Sequence, residues 1–203
     1  MNADLNLLLD ELERFGAAND AGIDRADPGR AQRMLNITRD TGEFLAVLVR
    51  ATRARDILEI GTSNGYSTLW LADAVGTAAG TDGGVVTTVE LQAAKYAMAL
   101  ENFARAGLRD RIDALNADAG EVLRVAGDAA YDFIFLDSDR AQYEAWWPEI
   151  RRVLRPRGLL VVDNAVSHAH EMESFVQAVK DDGFHCSLVP VGKGEFLATR
   201  GEA

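Results

Sequence analysis

The residues best equipped for chemistry are oxygen-bearing side chains that close short apolar runs. Asp137 ends YDFIFLD, and Asp163 with Asn164 ends GLLVVDN. If those runs are neighbouring strands, about 4.8 Å apart, three oxygen donors converge at one sheet edge. Hard oxygen donors with room for water suit a divalent cation, Mg²⁺ first and Mn²⁺ or Ca²⁺ next. Three protein ligands also leave coordination positions for oxygens of a substrate. Plain acidic strand ends, common in α/β enzymes, are the alternative.

A second group lies at the first strand–turn–helix, Glu59-Ile60-Gly61-Thr62-Ser63-Asn64-Gly65-Tyr66-Ser67. Ligands of open α/β sheets bind outside the carboxyl ends of the strands, beside such a turn. Gly61 permits close approach of the backbone to a ligand. The dinucleotide fingerprint G-x-G-x-x-G fails here, because Ser63 stands at the second glycine. Glu59 would repel a pyrophosphate and attract the ammonium and sulfonium of S-adenosylmethionine. Glu90 ends VVTTVE, where a carboxylate can take both hydroxyls of a ribose, in either class of cofactor. Asp118-Ala119 follows the third strand, where an adenine edge would lie, although a helix N-cap explains Asp118 equally well.

These groups need a scaffold that brings strand ends together. Apolar runs at 56–60, 85–90, 111–115, 131–137 and 158–163 alternate with helical patterns at 67–75, 92–106, 119–126, 140–154 and 168–182. Continuous Val/Ile/Leu/Phe strands with helices between them predict a doubly wound parallel sheet covered on both faces. The last two runs, 184–190 and 195–200, are joined only by VGKG, so they form an antiparallel hairpin. Ahead of the alternating units, residues 3–16 and 40–52 read as amphipathic helices, and Pro28 in ADPG could open another. Residues 1–40 are therefore expected to be a helical extension for capping or dimerisation, and 41–203 the main domain.

The bulk properties narrow the partners. The net charge is −11, which repels polyanions and makes nucleic acid an unlikely ligand compared with a small neutral or cationic molecule. Cys186 is the single cysteine, so no intrachain disulfide forms. The first residues lack a basic n-region, and no run reaches the ~20 apolar residues that span a bilayer. The expectation is a cytoplasmic protein without membrane contact.

Residues 35–200 resemble the cation-dependent, class I S-adenosylmethionine-dependent O-methyltransferases, the family of catechol and caffeoyl-CoA O-methyltransferases and their bacterial relatives. The resemblance rests on TRDTGEFLAVLVR (38–50), LEIGTSNGYS (58–67), VVTTVE (85–90), YDFIFLDSDRAQY (131–143) and GLLVVDN (158–164). It implies a Rossmann-like sheet of five parallel strands plus the hairpin, and often a homodimer. It places S-adenosylmethionine on Thr38, Glu59, Gly61, Thr62, Ser67, Glu90, Ala119, Asp137 and Asp139. It places the metal on Asp137, Asp163 and Asn164, and the acceptor is a small hydroxylated molecule, catechol-like or phenolic.

One departure bears on catalysis. The family usually carries a lysine, able to act as base, where this chain has Arg140. A guanidinium is effectively never deprotonated, so Arg140 could stabilise a phenolate but not accept a proton. His168, four residues past Asn164, is the candidate base, against a surface histidine of a first helical turn. His170 is expected to be exposed and His185 structural. Tyr143, Trp146 and Trp147 share one helix face and read as core or subunit packing, with a substrate wall as the alternative. Competing functions are a metal-dependent tRNA hydroxyuridine methyltransferase, a nicotinamide oxidoreductase and a non-catalytic cofactor-binding scaffold.

Overall fold

The computed structural model describes residues 2–23, 31–76 and 83–201, so the expected helix start at Pro28 lies outside the described residues. Helix α1 (Ala3–Ala21) opens on Asn2, whose side chain accepts from the Leu5 amide at 2.8 Å, the usual way to satisfy a first-turn N–H. It runs past Gly16, where the sequence pattern predicts its end. Gly16 packs there instead of breaking the helix: an added Cβ would lie 2.6 Å from Nδ2 of Asn36. Helix α2 (Arg39–Thr52) buries Thr41, Gly42, Leu45, Ala46 and Val49 on one face.

The alternating part follows in order: β1 (Asp56–Ile60), α3 (Tyr66–Val75), β2 (Val85–Glu90), α4 (Ala93–Arg105), β3 (Ile112–Asn116) and α5 (Ala119–Val125). Then come β4 (Tyr131–Leu136), α6 (Tyr143–Val153), β5 (Leu154–Val162), α7 (Glu173–Asp181), β6 (His185–Val189) and β7 (Glu195–Thr199). The seven strands form one sheet in the order β3-β2-β1-β4-β5-β7-β6. Strands β1 to β5 pair in parallel, and β7 pairs antiparallel to both β5 and β6. The predicted sheet is thus present, with the last strand inserted beside β5.

Both faces of the sheet are covered, as continuous apolar strands require. Ile57, Phe133, Phe135 and Val161 pack with α2, α3 and with Leu5, Leu8, Leu9 and Leu12 of α1. Leu58, Ile134, Leu136, Leu160 and Val162 pack with α5, α6 and α7 on the other side. Each of those buried leucines contributes roughly 1.5–3 kcal/mol relative to exposure, so α1 is bound into the core by its inner stripe. Among the described residues no helix is long and apolar enough to cross a membrane.

Three local expectations are corrected. β5 begins at Leu154 instead of 158, with Arg157 at φ 65° and a shifted register between Tyr131 and Phe133. A Pro-Arg-Gly bulge inside a strand looks like a turn in sequence. Residues 140–142 form a separate 3₁₀ turn before α6. The expected helix 168–182 is a turn, a 3₁₀ segment at Ala169–Glu171, and α7 only from Glu173. Asn164, at φ 67°, turns the chain sharply after β5, so that helix cannot start directly from the strand.

Candidate active site

The strand order reverses between β1 and β4, because the chain winds outward from β1 first to one side and then to the other. Such a switch point leaves a crevice at the carboxyl ends of the strands. Gly61 leaves β1 there at φ 111°, and a Cβ on it would sit 2.1 Å from the Asp137 carbonyl oxygen. Only glycine lets the β1 and β4 exits come this close. The same turn brings Thr62, Ser63 and the N-terminus of α3 to the crevice.

Glu59 lies behind this turn and is fully buried. Its carboxylate accepts from Ser67 Oγ at 2.6 Å, Thr88 Oγ1 at 2.6 Å and Thr68 Oγ1. Thr62 Oγ1 continues the network to Thr88 Oγ1 at 2.6 Å. Burial nevertheless pushes the Glu59 acid up to about 7, against the pull of its three hydroxyls and with a smaller push from Glu90. Neutral donors do not replace the water this carboxylate has lost.

Glu90 faces the crevice from β2. Its oxygens accept from the Ser63 amide and the Gln92 amide, each at 2.8 Å. A carboxylate has about four acceptor positions, so two remain for hydroxyls of a ligand. Above it crosses the segment before α2: Ser63 Oγ donates to the Met34 carbonyl at 2.7 Å, and Lys95 Nζ to the Arg33 carbonyl at 2.6 Å. Asp20 holds the same segment by accepting from the Met34 and Leu35 amides. Ala119 opens α5, capped by Asp118, whose side chain accepts from the Glu121 amide at 3.1 Å. Thr38 is the N-cap residue of α2, and its hydroxyl lies within hydrogen-bond reach of Asp40 and of Thr41 Oγ1. Asp139 is exposed and caps the 3₁₀ turn by accepting from the Ala141 amide at 3.2 Å.

The second constellation lies on the other side of Gly61. The Asp137 amide donates to the Ile60 carbonyl and the Asp163 amide to the Leu136 carbonyl, both at 3.0 Å, which fixes the three strand exits side by side. Asn164 Nδ2 donates to Asp163 at 2.7 Å and to Asp137 at 3.3 Å. The three side chains chosen from sequence therefore do meet. Burial, then Asp163, and then Glu59 raise the Asp137 acid well above its ordinary range; Lys193 and Arg140 oppose them.

The sequence reading missed a further acid. Glu195 opens β7, is fully buried, and stands one residue beyond the last β5–β7 pair, opposite Asp163. Burial followed by the Asp163 charge drives its acid far up, while a hydrogen bond from Thr41 pulls the other way. The available signal was an acid opening an apolar strand, next to a Gly-Lys-Gly loop. This donor set has the chemistry of a hard-cation site, with carboxylates outnumbering the nearby positive groups. Among the described residues, however, no three His, Cys, Asp or Glu side chains form a ready-made metal cage.

Arg140 lies at the rim, its Nε donating to Glu171 at 2.7 Å. His168 is half-buried beside Asn164: its Nδ1 is 2.8 Å from Ser167 Oγ, which lies 3.4 Å from Asn164 Oδ1. His170 is exposed, as expected, and His185 is exposed on the edge strand β6. Tyr143 and Trp147 are buried against Phe175, and Tyr143 Oη accepts from the Ser138 amide at 2.7 Å, so the helix face supports the Asp137 loop. Trp146 is half-buried, and a Cβ on Gly120 would lie 3.0 Å from its ring nitrogen.

Comparison with known proteins bears on this arrangement. A family model described as O-methyltransferase matches residues 23–200. A protein of Mycobacterium sp. (strain JLS) assigned as an O-methyltransferase is 32% identical over 178 residues, covering 81% of this chain and 79% of that one. A catechol O-methyltransferase of Mycobacterium tuberculosis (strain ATCC 25618 / H37Rv) is 35% identical over 130 residues, covering 64% of this chain and 57% of its own length. Among solved structures, the O-methyltransferase from Bacillus cereus in complex with SAH superposes with a TM-score of 0.75 at 25% identity, covering 96% of this chain and 91% of that one. Cofactor-bound Rv0187 from MTB superposes with a TM-score of 0.77 at 27% identity, covering 100% of this chain and 92% of that one.

Proposed function

The chain belongs to the O-methyltransferase family and is an S-adenosylmethionine-dependent enzyme, and we propose that it methylates a hydroxyl of a small phenolic or catechol-like acceptor with the help of a divalent cation. The observation that carries this reading is the meeting of Asp137, Asp163 and Asn164 beside the Gly61 turn, with too little positive charge around them.

The bound donor supplies a methyl group on a sulfonium. Glu90 would accept the ribose hydroxyls, with Thr38, Gly61, Thr62, Ala119 and Asp139 lining the rest of the crevice. Glu59 would contribute negative potential and hold Ser67 at the helix start. A cation held by Asp137, Asp163 and Asn164 would lower the pKa of the acceptor hydroxyl. Arg140 would stabilise the oxyanion and His168 would take the proton, its ring being tied through Ser167 to Asn164. Fixing the oxygen in line with the methyl group accounts for much of the acceleration.

The net charge of −11 favours a small acceptor over the tRNA alternative. A homodimer belongs to the same reading: α1 leaves Leu7 67% and Phe15 43% exposed on its outer side. Charging both, as Leu7→Glu with Phe15→Glu, is expected to halve the sedimenting mass; an unchanged mass would reject this surface. The function itself is tested with labelled S-adenosylmethionine and a panel of catechols, simple phenols and tRNA. Methylated catechol formed with Mg²⁺ or Mn²⁺ and lost with chelator is the expected result. Full turnover in chelator would remove the cation from the reading, and methylated tRNA alone would replace the acceptor.

A further inference from the structure

Glu195 takes no part in the reaction described above, yet it lies against its centre. The last β5–β7 pair is Val162 with Phe196. One step further places Asp163 opposite Glu195, on the same face, as antiparallel pairing requires. On that face Glu59 is the next-to-last residue of β1, Asp137 follows β4, Asp163 follows β5 and Glu195 opens β7. Glu195 Oε1 accepts from Thr41 Oγ1 of α2 at 3.2 Å; its Oε2 is buried and has no donor. What its carboxyl group meets is the carboxyl group of Asp163.

We propose that Glu195 is a positioning residue of the cation site: held by Thr41, it orients Asp163 from outside the ligand set and raises the site's affinity for a divalent cation. This rests on the cation reading above and extends it to a residue outside the three expected ligands. The physical argument is one of unmet demand. Buried carboxylates are retained when something positive or hydrogen-bonding answers them. Here Asn164 donates to two of the acids and Thr41 to the third. Lys193 is exposed, and Arg140 is shared with Glu171. A divalent ion beside Asp137 and Asp163 would be the largest local charge and would reverse the repulsion along the row. Glu195 then acts as the outer-shell partner that keeps a ligand carboxylate in place, a role whose loss typically costs 10–100-fold in metal affinity. Thr41 fixes Glu195 in turn, which links the N-terminal helix α2 to the cation.

Calorimetric titration of the full chain with Mn²⁺, without acceptor, tests the proposal. Wild type is expected to bind Mn²⁺. Glu195→Gln keeps the size of the side chain and an oxygen that accepts from Thr41 but cannot carry a negative charge, and is expected to bind about tenfold or more weakly. Glu195→Leu should bind more weakly still. In melts without metal both variants should have a Tm at or above that of wild type, because the buried carboxyl group crowding Asp163 is gone. Added Mn²⁺ should raise the wild-type Tm more than either variant's. Equal Mn²⁺ affinity in wild type and Glu195→Gln overturns this inference alone: Glu195 would then only share a proton with Asp163. Lower metal-free Tm values with unchanged affinity would mark a purely structural residue and overturn it too. Absence of Mn²⁺ binding in wild type removes this inference and the cation reading together.

Discussion

Two acidic centres flank the Gly61 turn, one fully buried at Glu59 and one that joins buried Asp163 and Glu195 to half-buried Asp137, and they are answered differently. Glu59 lies in a ring of three hydroxyls from α3 and β2, all supplied by the fold itself. Asp137, Asp163 and Glu195 form a row in which acids face acids and the nearest guanidinium is engaged elsewhere. The first centre is closed and needs nothing further to exist. The second is short of positive charge, and for that reason the proposed cation is placed there. Burial alone does not mark a functional acid; a buried acid whose counter-charge the chain does not provide is a better marker.

The largest effect expected from this contrast is at the open centre. Asp163→Ala should lower kcat on the order of 10³-fold, with binding of S-adenosylmethionine nearly unchanged, since on the proposed reading Asp163 serves the acceptor oxygen through the cation. Steady-state kinetics beside calorimetry of the cofactor separates the two. A loss confined to cofactor affinity would place Asp163 in the wrong pocket. His168→Ala, at the edge of the same centre, should cost about 10²-fold in kcat and remove a limb of the pH–rate profile. A profile left intact would leave the cation as the sole means of deprotonation.

The closed centre predicts a different readout, in stability. An acid raised to about 7 from 4.5 is protonated in the folded chain while already ionised in the unfolded one. The folded state is thus favoured below pH 4.5, and that advantage disappears as pH rises through 7. Ionised Glu59 costs up to about 3 kcal/mol. Glu59→Gln stays neutral, so the difference in stability between variant and wild type should grow in the variant's favour from pH 5 to pH 8. Parallel denaturation curves at both pH values would show that the hydroxyl ring fully compensates the carboxylate. Glu90→Ala, on the crevice side, should cost about 1–3 kcal/mol of cofactor affinity by leaving ribose hydroxyls unpaired; unchanged affinity would remove it from the site.

The contrast also explains what the sequence could and could not reveal. Strand-end acids are legible because β2, β4 and β5 read as apolar runs, and a run that stops on Asp or Glu places it at the sheet edge. Glu195 sits at the beginning of its strand, and only the antiparallel insertion of β7 beside β5 turns it toward Asp163. Periodicity gives strand direction poorly, and pairing order more poorly still. Gly16 misled for a related reason: its role is contact with Asn36, made by a segment far along the chain. The helix expected from His168 failed because the left-handed Asn164 and the hydrogen bonds of Val166 and Ser167 to the Lys193 carbonyl hold that stretch as a turn. Each miss involves a tertiary contact that local pattern does not encode.

The smallest effect concerns the rim of the open centre, and its sign is the informative part. Arg140 lies close enough to Asp137 to favour its charged form, yet its guanidinium is paired with Glu171. A fixed positive group beside a cation site competes with the cation. Arg140→Gln should therefore strengthen Mn²⁺ binding, by about two- to fivefold given the high effective dielectric of a partly exposed pair. Turnover should fall even so, because the same guanidinium would stabilise the acceptor oxyanion. Glu171→Gln removes the partner and leaves Arg140 unneutralised, so Mn²⁺ binding should weaken by a similar factor. Both shifts should shrink as salt is added, since they act near the surface. Weaker Mn²⁺ binding in Arg140→Gln would mean that the arginine supports the ligands instead of opposing the ion, and the shortage of positive charge would no longer set the open centre apart from the closed one.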